Sequence, residues 1–223
     1  MATSRTSVTT VHVGTSGWAY PSWKPGFYPA GTDSKQFLGF YASRFDTVEL
    51  NTTGYRLPAE EQFRRWAEQT PPGFEFAVKL PGNRAQTVGT FSERVRALGD
   101  RLGPVRVTLV SARDDGMIEL LLDSLDPELR LAFDLQHPSW DGIEERLAQA
   151  GAVRVNDVEH EAPFRYLRFR EPPYSEDDVR GHAELIRTLR EPVYAYYRHE
   201  DEPAAPAYAE QLRALLTTGA SFS

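Results

Sequence analysis

The sequence predicts an α/β protein, a TIM-like (β/α)8 barrel with a short or missing sixth helix. Three observations point there. Strand-like and helix-like hydrophobic patterns alternate along the chain, which implies a parallel sheet with helical crossovers. Eight strand-like runs can be counted, the number that closes such a barrel. The length, 223 residues, lies at the short end of that class. The rival arrangement, an open doubly wound parallel sheet, shares the alternation.

The elements follow in order. Residues 1–10 are polar and lack the apolar core of a signal peptide, so they are expected to be a flexible tail. Val11–Thr15 is a β-branched first strand. Asp33 opens a helix with Phe37, Leu38, Tyr41 and Phe45 on one face. Residues 46–50 are the second strand. Residues 60–69 are a helix with Phe63, Trp66 and Ala67 inward, stopped by Pro71-Pro72. The third strand is 74–80. A helix over 92–102, ended by Gly103-Pro104, leads to a fourth strand at 105–110. Ile118, Leu121, Leu122 and Leu125 mark the next helix, and 130–135 the fifth strand. Ser139 caps a helix carrying Trp140, Ile143 and Leu147, closed by Gly151. Residues 152–156 are the sixth strand. Little room remains before Arg165, and Pro163 forbids a helix there, so this crossover is a bare loop. Arg165–Phe169 is the seventh strand. Ser175 with Asp178 has the pattern of a capping box, ahead of Val179, His182, Leu185, Ile186 and Leu189 on a helix. Val193–Tyr197 is the eighth strand, and Tyr208, Leu212, Leu215 and Leu216 mark a last helix. No linker or repeat divides the chain, so one domain over 11–223 is expected.

Composition narrows the function. The chain is 40% hydrophobic and 26% charged, as globular domains are. Its formal net charge of -7 gives no global attraction to phosphate backbones. It has no cysteine, which excludes disulfides, thiol nucleophiles and thiolate metal sites. No apolar run reaches membrane-spanning length, so a cytoplasmic protein without a membrane partner is expected. Nothing in the sequence fixes an oligomeric state.

The period of a strand sorts side chains between the barrel axis and the helices. Phe74, Phe76 and Val78 are the helix-facing set of the third strand, leaving Glu75, Ala77 and Lys79 for the axis. Leu131, Phe133 and Leu135 go outward, so Asp134 and Gln136 face the axis. Tyr166 and Arg168 face inward against Leu167 and Phe169. Glu49 is the polar choice in the second strand, and Thr108 in the fourth. The result is a ring at the C-terminal strand ends: Ser16, Glu49, Lys79, Thr108, Asp134, Asn156, Arg168 and Tyr197. Barrel enzymes draw catalytic groups from such positions. The plainer reading is a charge-balanced network that closes the barrel top.

Several chemistries compete for that ring. Glu49 and Asp134 form a carboxylate pair suited to acid–base work on a glycosidic bond. Lys79 and Arg168 suit an anionic group. A Schiff base at Lys79 needs a depressed pKa, and the neighbouring acids push the other way. Glu49, Asp134, His137 and Asp157 are metal-ligating types. Against a metal stand the repulsion from Lys79 and Arg168 and the lack of a paired-His motif. No metal or other cofactor is expected. His137, just past the fifth strand, is either a proton shuttle or a loop histidine bonded to backbone. His12 is expected to be structural, and His160, His182 and His199 solvated. Trp18, Tyr20, Trp23, Tyr55 and Trp140 could stack on a sugar or a base, with most of them packing the first loop onto the rim. Arg154, Arg165, Arg168, Arg170 and Arg198 could form a basic patch for nucleic acid, a partner that the acidic total does not favour.

The residues also resemble a known family. Gly14-Thr15-Ser16-Gly17-Trp18, Phe27-Tyr28-Pro29, Thr47-Val48-Glu49-Leu50-Asn51, Tyr55-Arg56-Leu57-Pro58, Phe76-Ala77-Val78-Lys79 and His137-Pro138-Ser139-Trp140 occur in the order and spacing of domain of unknown function 72, the YecE-like proteins. The resemblance covers nearly the whole chain and implies a TIM-like barrel. It implies no established activity. It draws attention to Trp18, Tyr28, Glu49, Asn51, Tyr55, Lys79, His137 and Trp140. The second half departs from the family pattern: Asp134 and Gln136 stand where Glu and Arg are usual. Thr108-Leu109-Val110-Ser111, Phe169-Arg170 and Arg198-His199 also differ from it.

The expectation is therefore a metal-independent acid–base enzyme on a small polar, sugar- or nucleotide-like ligand, neutral or anionic. Glu49, Asp134, Lys79 and His137 are its catalytic candidates. Ser16, Trp18, Tyr20, Asn51, Tyr55, Thr108, Trp140, Asn156, Arg168 and Tyr197 are its binding candidates. On this reading Glu49→Gln abolishes turnover and leaves the melting temperature unchanged. The alternatives are a non-catalytic ligand-binding barrel that has lost activity and a nucleic-acid-processing barrel, with or without a metal.

Overall fold

The computed structural model describes residues 9–54, 56–82, 85–199 and 202–218. Its strands are β1 (Val11–Thr15), β2 (Thr47–Leu50), β3 (Glu75–Lys79), β4 (Leu102–Leu109), β5 (Leu131–Leu135), β6 (Val153–Arg154), β7 (Arg165–Phe169) and β8 (Val193–Tyr197). Its helices are α1 (Phe37–Ala42), α2 (Glu60–Glu68), α3 (Ala85–Val95), α4 (Asp115–Ser124), α5 (Glu144–Gln149), α6 (Glu176–Thr188) and α7 (Ala204–Thr218).

All the strand pairs are parallel. One sheet runs β2-β3-β4-β5-β6 and the other β1-β8-β7. A single bridge between Ser16 and Glu49 joins β1 to β2. On the other side the Asn156 N–H donates to the Tyr166 carbonyl at 2.9 Å, linking the end of β6 to β7. The strands thus follow one another around a ring in chain order. A doubly wound sheet is excluded, because its strand order reverses at a switch point and its first and last strands do not pair. Here β1 pairs with β8, Val11 opposite Val193. The sixth crossover is a bare loop, as Pro163 requires.

Alternation builds two cores. Phe76, Val78, Val105, Val107, Phe133, Leu167 and Ala195 point outward beneath the helices. Ala77, Ala132, Tyr166, Tyr194 and Tyr196 fill the barrel, small residues facing large ones. At the N-terminal end the Glu75 carboxylate accepts from Arg130 at 2.7 Å and from the Tyr194 hydroxyl at 2.8 Å. His12 stacks on Tyr194 at 4.8 Å and meets Asp46 at 3.1 Å.

Some boundaries differ from the sequence reading. The helix expected over 92–102 begins at Ala85, tightens into a 3-10 turn at Arg96–Arg101, and gives way to β4 at Leu102. Gly103 and Pro104 therefore lie inside a strand. A Cβ at Gly103 would sit 2.9 Å from the Phe76 carbonyl oxygen, so glycine here allows a close strand approach. The β3–β4 register shifts at this point, where a proline without an N–H is tolerated. After β5 the cap is His137, not Ser139. Its imidazole accepts from the Ser139 N–H and starts a 3-10 turn at Pro138–Trp140, and α5 follows only at Glu144. Of the expected tail, residues 1–8 lie outside the described residues. Thr10 continues the ladder, its carbonyl accepting from Val193 at 2.9 Å. Among the described residues no helix is long and apolar enough to cross a membrane.

Candidate functional site

The C-terminal end of the barrel holds a buried ionic cluster. Glu49 is its centre and is fully buried. Its Oε2 accepts from the Ser16 hydroxyl at 2.7 Å, and its Oε1 from the Tyr166 hydroxyl at 2.8 Å. Nε of Arg106 lies 2.7 Å from Oε1, and Nε of Arg168 lies 2.9 Å from it. These are close charge contacts, not well-aligned hydrogen bonds. A second carboxylate, Asp134, accepts from Arg106 at 2.9 Å and from Arg170 at 2.6 Å. Arg168 stands 3.6 Å from it. Arg106 also donates to Thr108 at 2.8 Å and to Asn51.

Two opposed effects set the ionisation of Glu49. Burial pushes its pKa up, and the guanidiniums of Arg106 and Arg168 outweigh that and hold it at about 2. A carboxylate this acidic stays charged at neutral pH and is a poor general acid or base there. The acid–base role expected of it, and with it glycosidic hydrolysis by a Glu49–Asp134 pair, is not supported. Lys79, half-buried at the end of β3, moves the other way from the sequence reading. Burial first and Arg106 second lower its pKa, against the raising effects of Glu49 and Asp134. The acids do not dominate at Lys79, because the same arginines that neutralise them also face the amine.

The structure gathers Ser16, Glu49, Asn51, Thr108, Asp134 and Arg168 into one bonded cluster. Asn156 joins through the backbone of Arg168, accepting its N–H at 2.6 Å and donating to its carbonyl at 3.1 Å. The Tyr20 hydroxyl donates to the Ser16 carbonyl at 2.9 Å, and its ring stacks on His199 at 4.4 Å.

Other candidates lie elsewhere. Tyr197 does not face the axis. It shares parity with Val193 and Ala195 and packs among Phe169, Tyr174, His182 and Tyr208 under the helices. Tyr196 takes the inward position, bonded to Thr47 at 2.8 Å. His137 is exposed and engaged in its cap with Ser139. Trp140 is buried in the outer core, its indole donating to the Ser111 carbonyl at 2.9 Å. Trp23 and Tyr28 pack the first loop, Tyr28 stacked on Phe37 at 4.1 Å. Trp18 meets Trp66 edge-on at 5.5 Å, on the helix side of β3. Tyr55 lies outside the described residues. His182 is not solvated but stacked on Phe169 at 3.8 Å, with its Nδ1 2.9 Å from the Tyr197 hydroxyl. Asp157 pairs with His160 at 3.0 Å, and among the described residues no three His, Asp or Glu side chains converge on a metal-sized site.

Two arginines of the cluster were not among the catalytic or binding candidates: Arg106, and Arg170, which the sequence reading placed only in the basic patch. Arg106 has the same parity as Thr108, so the alternation that selects one selects the other. Arg170 follows β7 with the parity of Arg168.

The match to a family model decides what kind of protein carries this cluster. The model described as "Protein of unknown function DUF72" matches residues 12–222. The chain belongs to the DUF72 family. Among curated DUF72 relatives, UPF0759 protein YecE of Escherichia coli K12 is 31% identical over 164 residues, 65% of this chain. That stretch spans 58% of YecE's length. UPF0759 protein YunF of Bacillus subtilis is 32% identical over 69 residues, 31% of this chain and 23% of YunF. A DUF72 structure from Thermotoga maritima superposes with a TM-score of 0.79 at 24% identity, covering 93% of this chain and 99% of that one. One from Enterococcus faecalis gives 0.76 at 16% identity, covering 94% and 98%. These structures share the fold.

Proposed function

We propose that this DUF72 protein binds a small anionic ligand, one bearing a phosphate or carboxylate, at the C-terminal mouth of its barrel. The observation that carries the reading is the charge of the cluster. Four cations, Lys79, Arg106, Arg168 and Arg170, surround two carboxylates, Glu49 and Asp134, an excess of two positive charges in a chain of net charge -7. Glu49 and Asp134 act as fixed counter-ions that orient the guanidiniums. Arg170, less buried than Arg106 or Arg168, meets the ligand's charge. Lys79, half-buried at the end of β3, supplies the fourth charge, with its pKa lowered by burial and by Arg106.

Nucleic acid is the weaker reading. Arg154 is paired with Glu144 and Asp141, and Arg165 with Glu191, which removes them from a basic surface.

Calorimetric titration with pyrophosphate, citrate, a sugar phosphate and the matching neutral sugar tests the proposal. The anions bind and the neutral sugar does not. Arg170→Gln weakens anion binding about tenfold, the loss of one charge-assisted hydrogen bond. Affinity falls as pH rises through the lowered Lys79 pKa, and Lys79→Gln removes that step. A neutral sugar binding as tightly as its phosphate would overturn the reading.

A further inference from the structure

A second cavity, of about 800 Å³, lies outside the ionic cluster, between the first loop, α1 and α2. Its volume is in the range of small-molecule sites. Its apolar wall is Trp18, Leu38 and Trp66. Its charged residues are Lys35, Arg56 and Arg94. Among the described residues no Asp or Glu lines it.

The two indoles meet edge to face at 89°, which fixes both rings; Trp18 is 9% exposed and Trp66 is partly exposed, so Trp66 offers most of the aromatic surface and Trp18 backs it. Trp18 is held in place from behind, its carbonyl accepting from the buried Tyr28 hydroxyl. Trp66 packs against Phe63 and Phe76. Arg94 is held in the lining by donating to the Pro58 carbonyl at 3.3 Å. An aromatic corner that is preformed in this way recognises a flat apolar group with little loss of side-chain entropy. Three cations without a carboxylate, in an acidic chain, select the sign of whatever charge accompanies that group.

We infer that this cleft is a binding site for a small aromatic anion, a flat ring system carrying one carboxylate, sulfonate or phosphate. The ring lies against Trp18 and Trp66, and the anionic group faces Lys35 and Arg56. None of the ionic-cluster residues lines it, and the inference does not depend on what binds at the barrel mouth.

The four tryptophans make the test direct. Trp23 and Trp140 are fully buried in the core and act as internal controls. Uniformly 15N-labelled protein is titrated with 2-naphthalenesulfonate and, separately, with its neutral isostere 2-naphthalenesulfonamide, while the indole N–H resonances are followed by NMR. The sulfonate shifts the Trp18 and Trp66 signals saturably and leaves those of Trp23 and Trp140 in place. Trp66→Phe assigns its own signal. The double variant Lys35→Gln/Arg56→Gln removes two exposed charges, so it keeps its fold. It weakens the sulfonate about fivefold and leaves the sulfonamide unchanged, as the loss of two partly screened charge contacts predicts. The inference is overturned if neither probe shifts Trp18 and Trp66. It is equally overturned if the sulfonamide binds as well as the sulfonate, or if the double variant binds the sulfonate like wild type.

Discussion

At Glu49 the carboxylate accepts from Ser16 and Tyr166 and faces the guanidiniums of Arg106 and Arg168. Removing its charge leaves two buried cations without their counter-ion. Breaking a buried pair from one side costs about 3–5 kcal/mol. Glu49→Gln, nearly isosteric, therefore lowers stability by that order in urea unfolding, the opposite of the unchanged melting temperature expected from the sequence. The pH dependence follows from the same contacts. The folded pKa, about 2, is depressed from the ordinary 4.5. The stabilisation is thus complete above pH 4.5 and lost as pH falls toward 2, about 3 kcal/mol in all. In Glu49→Gln that contribution to the acid limb disappears. A variant with wild-type stability and a wild-type acid profile would show that the cluster contributes nothing to folding. The position of Glu49 was legible from alternation alone. Its protonation state was not, because that depends on Arg106, which reaches it across the barrel from β4.

The β6–β7 connection illustrates an element whose geometry rests on one side chain. β6 has only two residues, and the chain then turns at Asn156, whose φ of 65° is the one positive value at a non-glycine among the described residues. Asparagine tolerates this region better than most residues. Its amide then bonds both the N–H and the carbonyl of Arg168, doing for β7 what a longer β6 would have done through its backbone. Two substitutions separate these contributions. Asn156→Gly keeps the backbone conformation and loses both hydrogen bonds. Asn156→Ala loses the bonds and adds the strain of a Cβ at positive φ, a further cost of about 1 kcal/mol. Chemical denaturation should rank wild type above Asn156→Gly and Asn156→Ala lowest. Equal stability of the two variants would show that the conformation carries no strain. Pro163 made the bare loop readable in advance. The zipper at Asn156 was not readable, since side-chain pairing with a backbone twelve residues away leaves no periodic signal. Tyr197 was a different kind of miss. The apolar set Val193 and Ala195 already assigned its parity to the helices, and three tyrosines in one strand obscured that.

Across the whole molecule the backbone ladder is interrupted twice, between β1 and β2 and between β6 and β7. Eight strands alternating with helices were enough to predict the ring, but not where it would be weakly sewn. Side chains span the gaps. Glu49 on β2 ties to Ser16 beyond β1 and to Arg168 on β7, and Thr47 on β2 bonds Tyr196 on β8 at 2.8 Å. At the opposite end Tyr194 on β8 meets Glu75 on β3 and Arg130 before β5. Besides the anion site proposed for it, the ionic cluster spans the two seams and ties the three-stranded sheet to the five-stranded one. If so, the seams should open before the sheets unfold, as sub-global units do. Native-state hydrogen exchange tests this through two amides. The Ser16 N–H donates to Tyr197 and the Asn156 N–H to Tyr166, each beside a seam. Both should exchange at lower free energy than amides in β4 and β5, which as core strands are expected to exchange by global unfolding. Glu49→Gln should lower the opening free energy at Ser16 by more than it lowers that at Asn156, because Ser16 bonds the carboxylate directly and Asn156 reaches it only through Arg168. Uniform exchange across all eight strands would mean that the barrel opens as one unit and that the side-chain ties add nothing the ladder lacks.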